Sequence, residues 1–164
     1  MNFPIKWSIV YVSVIKKEEC PMLMGNFQNS IDGKNRISVP AKFRDELGYK
    51  CVVTRGLDNC LDLYPEIVWK AETEKIAHLP KSDPKARAYI RFKFGAAFEV
   101  EIDKQGRTVV PQVLKDYAGF DKEIVTVGAV DHVELWSKDA YEGFAAAGAP
   151  SDEDMAYISE RYQV

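Results

Sequence analysis

Asp32 and Arg36 are separated by three residues, and so are Asp103 and Arg107. An aspartate that opens a turn accepts backbone N–H groups a few residues on. An arginine four residues later folds back onto the same carboxylate and fixes the hairpin. A guanidinium held by one carboxylate also keeps donors for a phosphate oxygen or a guanine edge, and its preset geometry lowers the ordering cost of binding. Spacing alone leaves both readings open, a clamp on the loop and a cation offered to a polyanion. Asn35 and Gly106, just before each arginine, are residue types that tolerate the positive φ of so tight a turn. Lys34 adds charge to the first loop. Lys42 and Arg44 either extend a basic rim or simply face solvent.

The elements that position these loops recur with them. Ile31-Asp32-Gly33-Lys34-Asn35-Arg36-Ile37-Ser38-Val39-Pro40 is echoed, 71 residues on, by Ile102-Asp103-Lys104-Gln105-Gly106-Arg107-Thr108-Val109-Val110-Pro111. After a slip to an offset of 72, Val52-Val53-Thr54 aligns with Ile124-Val125-Thr126, and Leu61-Asp62-Leu63-Tyr64 with Val133-Glu134-Leu135-Trp136. Two copies of one unit imply an internal two-fold axis and twin loops offered side by side. Each copy reads as strand (27–31 or 97–102), loop, strand (36–39 or 107–110) and helix (41–47 or 112–118). Two further strands follow (51–55 with 60–64, or 123–127 with 132–136). Pro40 and Pro111 stop a strand and suit a first helical turn, while Gly56 and Gly128 mark bends. Helices are expected over 65–78, over a second segment capped by Ser82 or Asp83 and ended by Gly95, and over 138–144, with another after Ser151. Lys85, Arg87, Arg91 and Lys93 would form a basic stripe on the second of these. It is suited to phosphate or to a neighbour's acidic half, and lies opposite a core-facing Ala86, Ile90 and Phe94.

The formal charge is −3, but it is unevenly spread: residues 22–94 carry +4 and residues 95–164 carry −8. Phosphate attraction follows the local field rather than the total, so a basic first half remains competent for nucleic acid. A unit of about 70 residues buries a marginal core alone, so the two copies should interlock. The three cysteines have no CxxC spacing and read as two buried strand thiols, Cys51 and Cys60, and one in a tail, Cys20. His78 and His132 have no paired nucleophile, Ser30 and Ser38 lack a base, and no Gly-rich phosphate loop occurs. We therefore expect no enzyme, no cofactor, no metal, no small-molecule substrate and no membrane span. Residues 1–21, with a β-prone run at 7–15, lie outside the repeat and suggest a start at Met22 or Met24.

Taken together, Met24-Gly25-Asn26-Phe27, the Asp32–Arg36 loop, Val39-Pro40-Ala41-Lys42-Phe43-Arg44, Val52-Val53-Thr54-Arg55-Gly56-Leu57-Asp58, Ala86-Arg87-Ala88, the Asp103–Arg107 loop and Trp136-Ser137-Lys138 resemble the MraZ family of bacterial transcriptional regulators. The resemblance implies an α+β, β-dominated fold, a double-split β-barrel of two tandem AbrB-like units with short helices. The units span 22–94 and 95–144, leaving 145–164 as an acidic tail. It implies a cytoplasmic, nucleoid-associated protein assembled as a homo-oligomeric ring. Such a ring binds double-stranded promoter DNA at direct repeats upstream of the division and cell-wall gene cluster, usually as a repressor. Lys34 and Arg36 would contact DNA, with Lys104 and Arg107 in the matching positions of the second loop. Asn35 stands where that family usually has glycine. An AbrB-type antitoxin and a structural ring without nucleic acid are the competing expectations.

Overall fold

The first strand of each half pairs with the opposite half. β1 (Leu23–Ser30) runs antiparallel to β7 (Glu123–Val130), and β5 (Phe98–Glu101) to β3 (Lys50–Arg55). With β4 (Leu61–Pro65) and β8 (Val133–Ser137), these strands form one antiparallel sheet in the order β1-β7-β8-β4-β3-β5, symmetric about the β8–β4 seam. β2 (Arg36–Ser38) and β6 (Arg107–Val109), one from each half, make a separate ribbon. The protein, described by a computed structural model over residues 20–148 and 150–163, is thus α+β with one shared core. The apolar run at 7–15 lies outside those residues.

The core draws on both halves. Ile37, Phe43 and Leu63 pack in one cluster with Val110, Leu114 and Leu135. Each such side chain contributes about 1.5–3 kcal/mol on burial, and an isolated half would forfeit much of that. Pro40, Pro65 and Pro111 precede α1 (Ala41–Leu47), α2 (Glu66–Ala77) and α4 (Gln112–Tyr117) by one position, so they act as N-caps rather than as first-turn residues. Cys51 and Cys60 are buried and Cys20 is exposed, as expected. Asp83 caps α3 (Pro84–Phe94), accepting from Lys85 N–H at 2.8 Å. α5 (Lys138–Ala146) follows β8, and α6 (Asp152–Tyr162) opens on a capping box of Ser151 and Asp154.

Three expectations are corrected. Lys93 does not belong to an exposed basic stripe: it is buried with its ammonium on the Asp62 carboxylate, itself buried. A lysine stem lies well along apolar surface when its head finds a partner, and breaking such a pair costs about 3–5 kcal/mol. The repeat offset in the third strand is 73, not 72. Lys50 and Glu123 are equivalent, because each pairs with the last residue of the exchanged strand, Glu101 and Ser30 respectively. Val52-Val53-Thr54 therefore matches Val125-Thr126-Val127. The extra residues lie between Gly119 and Glu123, and a shorter β7–β8 turn restores 72 at β4 and β8.

Gly128, finally, is no bend: it lies inside β7 opposite Gly25. A Cβ there would come within 2.5 Å of the Met24 nitrogen and 2.6 Å of the Leu23 carbonyl carbon, backbone atoms that cannot yield cheaply. Gly128→Ala should destabilise the fold by about 2 kcal/mol, the cost of overpacking, read as a lower urea midpoint. An unchanged midpoint would mean that β1 does not press on β7 at this position.

Candidate functional site

Both Asp-x-x-x-Arg loops close on themselves. Asp32 Oδ1 accepts the backbone N–H groups of Lys34 and Arg36, each at 2.9 Å, and Oδ2 accepts Arg36 Nε at 2.7 Å. Asp103 repeats this with Gln105 N–H at 2.8 Å, Arg107 N–H at 2.9 Å and a looser Arg107 Nε at 3.4 Å. Asn35 and Gly106 take the left-handed turn, at φ 57° and 76°. Only Nε of each arginine is engaged, so the Nη groups of Arg36 and Arg107 have no protein partner among the described residues.

The ribbon sets where those arginines point. Arg36 lies opposite Val109 and Arg107 opposite Ser38. Ile37 and Thr108 between them are buried, while Ser38 and Val109 are exposed, so Arg36, Ser38, Arg107 and Val109 share the outer face. The two arginines sit diagonally, about two residues or roughly 7 Å apart along the strands. Their loops leave opposite ends of the ribbon rather than standing side by side. Lys34 and Lys104 are exposed at the two loops.

The halves buttress each other's loops. Val39 N–H donates to the Gly106 carbonyl and Val110 N–H to the Asn35 carbonyl, both at 2.8 Å. Arg44 Nε donates to the Val39 carbonyl at 2.8 Å, and its guanidinium lies across Gly106, where a Cβ would meet Cζ at 2.0 Å. Arg44 thus supports the opposite loop, and Lys42 is the exposed cation of α1. At the equivalent place in the other half, Lys115 Nζ donates to Asn35 Oδ1 at 3.1 Å, and Asn35 Nδ2 donates to Gln112 Oε1 at 2.8 Å. A slender lysine leaves room for a side chain that Arg44 would exclude, which accounts for asparagine in the first loop and glycine in the second. Gln112 and Lys115 were not singled out from sequence, although Lys115 stands at the repeat position of Arg44.

A second polar cluster lies on the β4–β8 seam, where Asp62 faces Glu134 across the internal axis. Cys60, Asp62 and Glu134 bring ligand-type atoms within 4.8 Å of one another. Lys93 already holds Asp62, and burial together with the neighbouring carboxylates pushes the Cys60 thiol up to about 12. The chemistry is that of a compensated ion pair. His132 stacks on Tyr64 beside it. Burial opposes its charged form, but Asp131, Asp62 and Glu134 outweigh this and raise its pKa.

Comparison with known proteins places this geometry. A family model described as "MraZ protein, putative antitoxin-like" matches residues 22–92 and again 93–161. A protein of Desulforamulus reducens named transcriptional regulator MraZ is 47% identical over 135 residues, covering 82% of this chain and 95% of its own. Proteins of the same name from Clostridium beijerinckii and Clostridium tetani are 49% and 42% identical over 123 and 139 residues. These cover 75% and 85% of this chain, and 87% and 98% of their own lengths. No helix among the described residues is long and apolar enough to cross a membrane.

The latch has a measurable signature. The Arg36 backbone N–H, with partial burial opposing and the Arg36 side chain and Lys34 N–H assisting, holds the Asp32 carboxyl at about 2 against an ordinary 3.8. Asp103 is lowered in the same direction, led by the Arg107 N–H. A depressed carboxyl stabilises the fold fully above its ordinary value and loses that contribution as pH falls through its folded value. The first loop should therefore stay latched from neutral pH down to pH 4 and open only toward pH 2. Carboxyl carbon titration by NMR checks this, and an Asp32 midpoint near 3.8 would show an open latch.

Proposed function

The chain belongs to the MraZ family, and from that footing we propose that it is a sequence-specific DNA-binding transcriptional regulator whose reading surface is the outer face of the β2–β6 ribbon. The observation that carries this reading is the pair of latched arginines, Arg36 and Arg107, whose Nη groups are unspent on an exposed ribbon face. A two-stranded ribbon fits the major groove, where a guanidinium pairs bidentately with guanine O6 and N7. Lys34, Lys42 and Lys104 are placed to meet flanking phosphates, which set register and supply the salt-dependent part of affinity. Arg44 belongs with the supports rather than the contacts.

One ribbon binds modestly. A homo-oligomeric ring presents many ribbons to several promoter direct repeats, and avidity multiplies weak affinities when the spacings match. We place the protein in the cytoplasm on the nucleoid, as a repressor of the division and cell-wall gene cluster. The pairing of two units within one chain supports this over an antitoxin built from a single unit. An exposed cationic ribbon with unspent donors supports it over a scaffold without nucleic acid.

Arg36→Ala should abolish operator retention in a gel shift while leaving the oligomer mass unchanged. One bidentate contact is worth about 1–3 kcal/mol, and the loss is repeated in every subunit. Wild-type affinity should fall steeply with salt, on the order of 10³ or more between 50 and 200 mM for six or more phosphate contacts. Retention of Arg36→Ala equal to wild type, or a flat salt response, would overturn the reading.

A further inference from the structure

Among the described residues the internal symmetry leaves one helix exposed where its counterpart is packed. α3 and α6 are each 11 residues long, and their N-caps, Asp83 and Ser151, stand at the same place in the two halves' order of elements. Aligned on those caps, Ala88-Tyr89-Ile90 matches Ala156-Tyr157-Ile158, Lys93 matches Arg161, and Phe94 matches Tyr162. The second stretch matched by the family model runs through residue 161 and so covers all of α6 but its last residue.

α3 lies on the outer face of β3 and β4. Lys93 there pairs with Asp62 and sits over the Tyr64 ring, Phe94 packs on Trp69 with ring centroids 4.8 Å apart, and the Thr54 hydroxyl donates to the Lys93 carbonyl. The corresponding face of β7 and β8 is built the same way. Trp136 replaces Tyr64 and donates Nε1–H to Glu134 at 2.9 Å, as the Tyr64 hydroxyl donates to Asp62 at 3.1 Å. Tyr141 replaces Trp69 against it, with centroids 6.1 Å apart. Among the described residues no counterpart of α3 lies over this second face, where only α5 packs, Phe144 reaching Trp136 with centroids 5.6 Å apart, and its residues show it. Thr54, Asp62, Val68 and Ala71 are 0–5% exposed, whereas their counterparts Val127, Glu134 and Ala140 are half-buried and Gly143 is exposed.

α6, meanwhile, buries no side chain against the rest of the described residues. Every residue from Asp152 to Tyr162 is exposed, including Met155, Tyr157, Ile158 and Tyr162. We infer that α6 docks on the outer β7–β8 face of a second copy of this chain, setting Arg161 against Glu134 and Tyr162 against Tyr141 as α3 sets Lys93 and Phe94 on the first half. A second copy is the occupant the structure favours. The chain lays α3 on its own sheet yet leaves α6 exposed along its length, so each copy carries one helix to give and one face to fill. Exchange in one direction leaves neither unmatched and propagates head to tail, the connection from which closed rings are made. The inference rests on the self-assembly part of the reading above and not on its DNA part.

The test is cross-linking between chains in full-length protein carrying Cys20→Ser, with buried Cys51 and Cys60 kept. Thr54 and Lys93 touch in the first half, so positions 127 and 161 should meet between copies. Chains with Val127→Cys are mixed with chains carrying Arg161→Cys, allowed to exchange subunits and treated with a short bismaleimide. A band of two different chains, absent from either variant alone, is the expected result. Arg161→Glu should weaken assembly about tenfold or more by light scattering, and Glu134→Arg in the same chain should restore it. A chain with both cysteines that links only within itself would show α6 folding back and overturn the inference. An oligomer with no 127–161 link would overturn it while leaving the ring standing, and a wild-type monomer would overturn both.

Discussion

Edge strands need partners, and here each half obtains its partner from the other. One side of β1 is paired by β7 and one side of β5 by β3, so neither half completes its sheet alone. An unpaired edge is also a template for association, which makes the exchange as much a matter of solubility as of stability. Leu114 and Phe43 become fully buried only in the joint core. The arginine-bearing ribbon is subject to the same condition, because β2 and β6 come from different halves. It exists only when the whole chain has folded, so the geometry of the site is tied directly to cooperativity.

The symmetry is close in backbone and broken in side chains, and the breaks are informative. Arg44 over Gly106 and Lys115 on Asn35 are two solutions to one problem, holding a left-handed turn from the opposite half. Asp62 and Glu134 share the seam, but among the described residues only Asp62 receives a buried ammonium. Charge follows the same division, with the basic residues gathered in the first half and the acidic ones in the second. The duplicated unit has thus kept its hydrogen-bond skeleton while, among the described residues, only its first outer face is covered by a helix such as α3.

Most of the architecture is legible in the sequence because the repeat is local and strongly punctuated. Prolines before helices, Asp83 before Pro84, and the Asp-x-x-x-Arg loops all act within a few residues, and the structure has them at those places. Long-range pairing is not written that way. Nothing local in Leu23–Ser30 says that its partner is β7, and the extra residues after Gly119 shift the true register by one from the best letter match. A one-residue slip in a strand moves every side chain to the other face, which is why Thr126 proves equivalent to Val53 and faces the core. Lys93 is read wrongly for a related reason. Its neighbours in sequence are cationic and exposed, and its partner Asp62 lies 31 residues away. At the candidate site, the arginines and their clamps are visible from spacing, but the ribbon that orients them, and Arg44 as a support, are not.

The latch also resolves an apparent contradiction in the proposed role. A carboxylate beside each candidate DNA-binding arginine ought to repel phosphate. Asp32, however, spreads its charge over two backbone N–H groups and one guanidinium nitrogen, all within 2.9 Å. Its negative field is largely met locally, while the remaining guanidinium donors stay directed outward. The looser 3.4 Å contact in the second loop leaves Asp103 less fully compensated, in the half that is already acidic. On electrostatic grounds the two loops should therefore share the work unequally, with the first meeting the polyanion more strongly. In the proposed ring, that asymmetry favours subunits that all turn the same end of their ribbons toward the duplex.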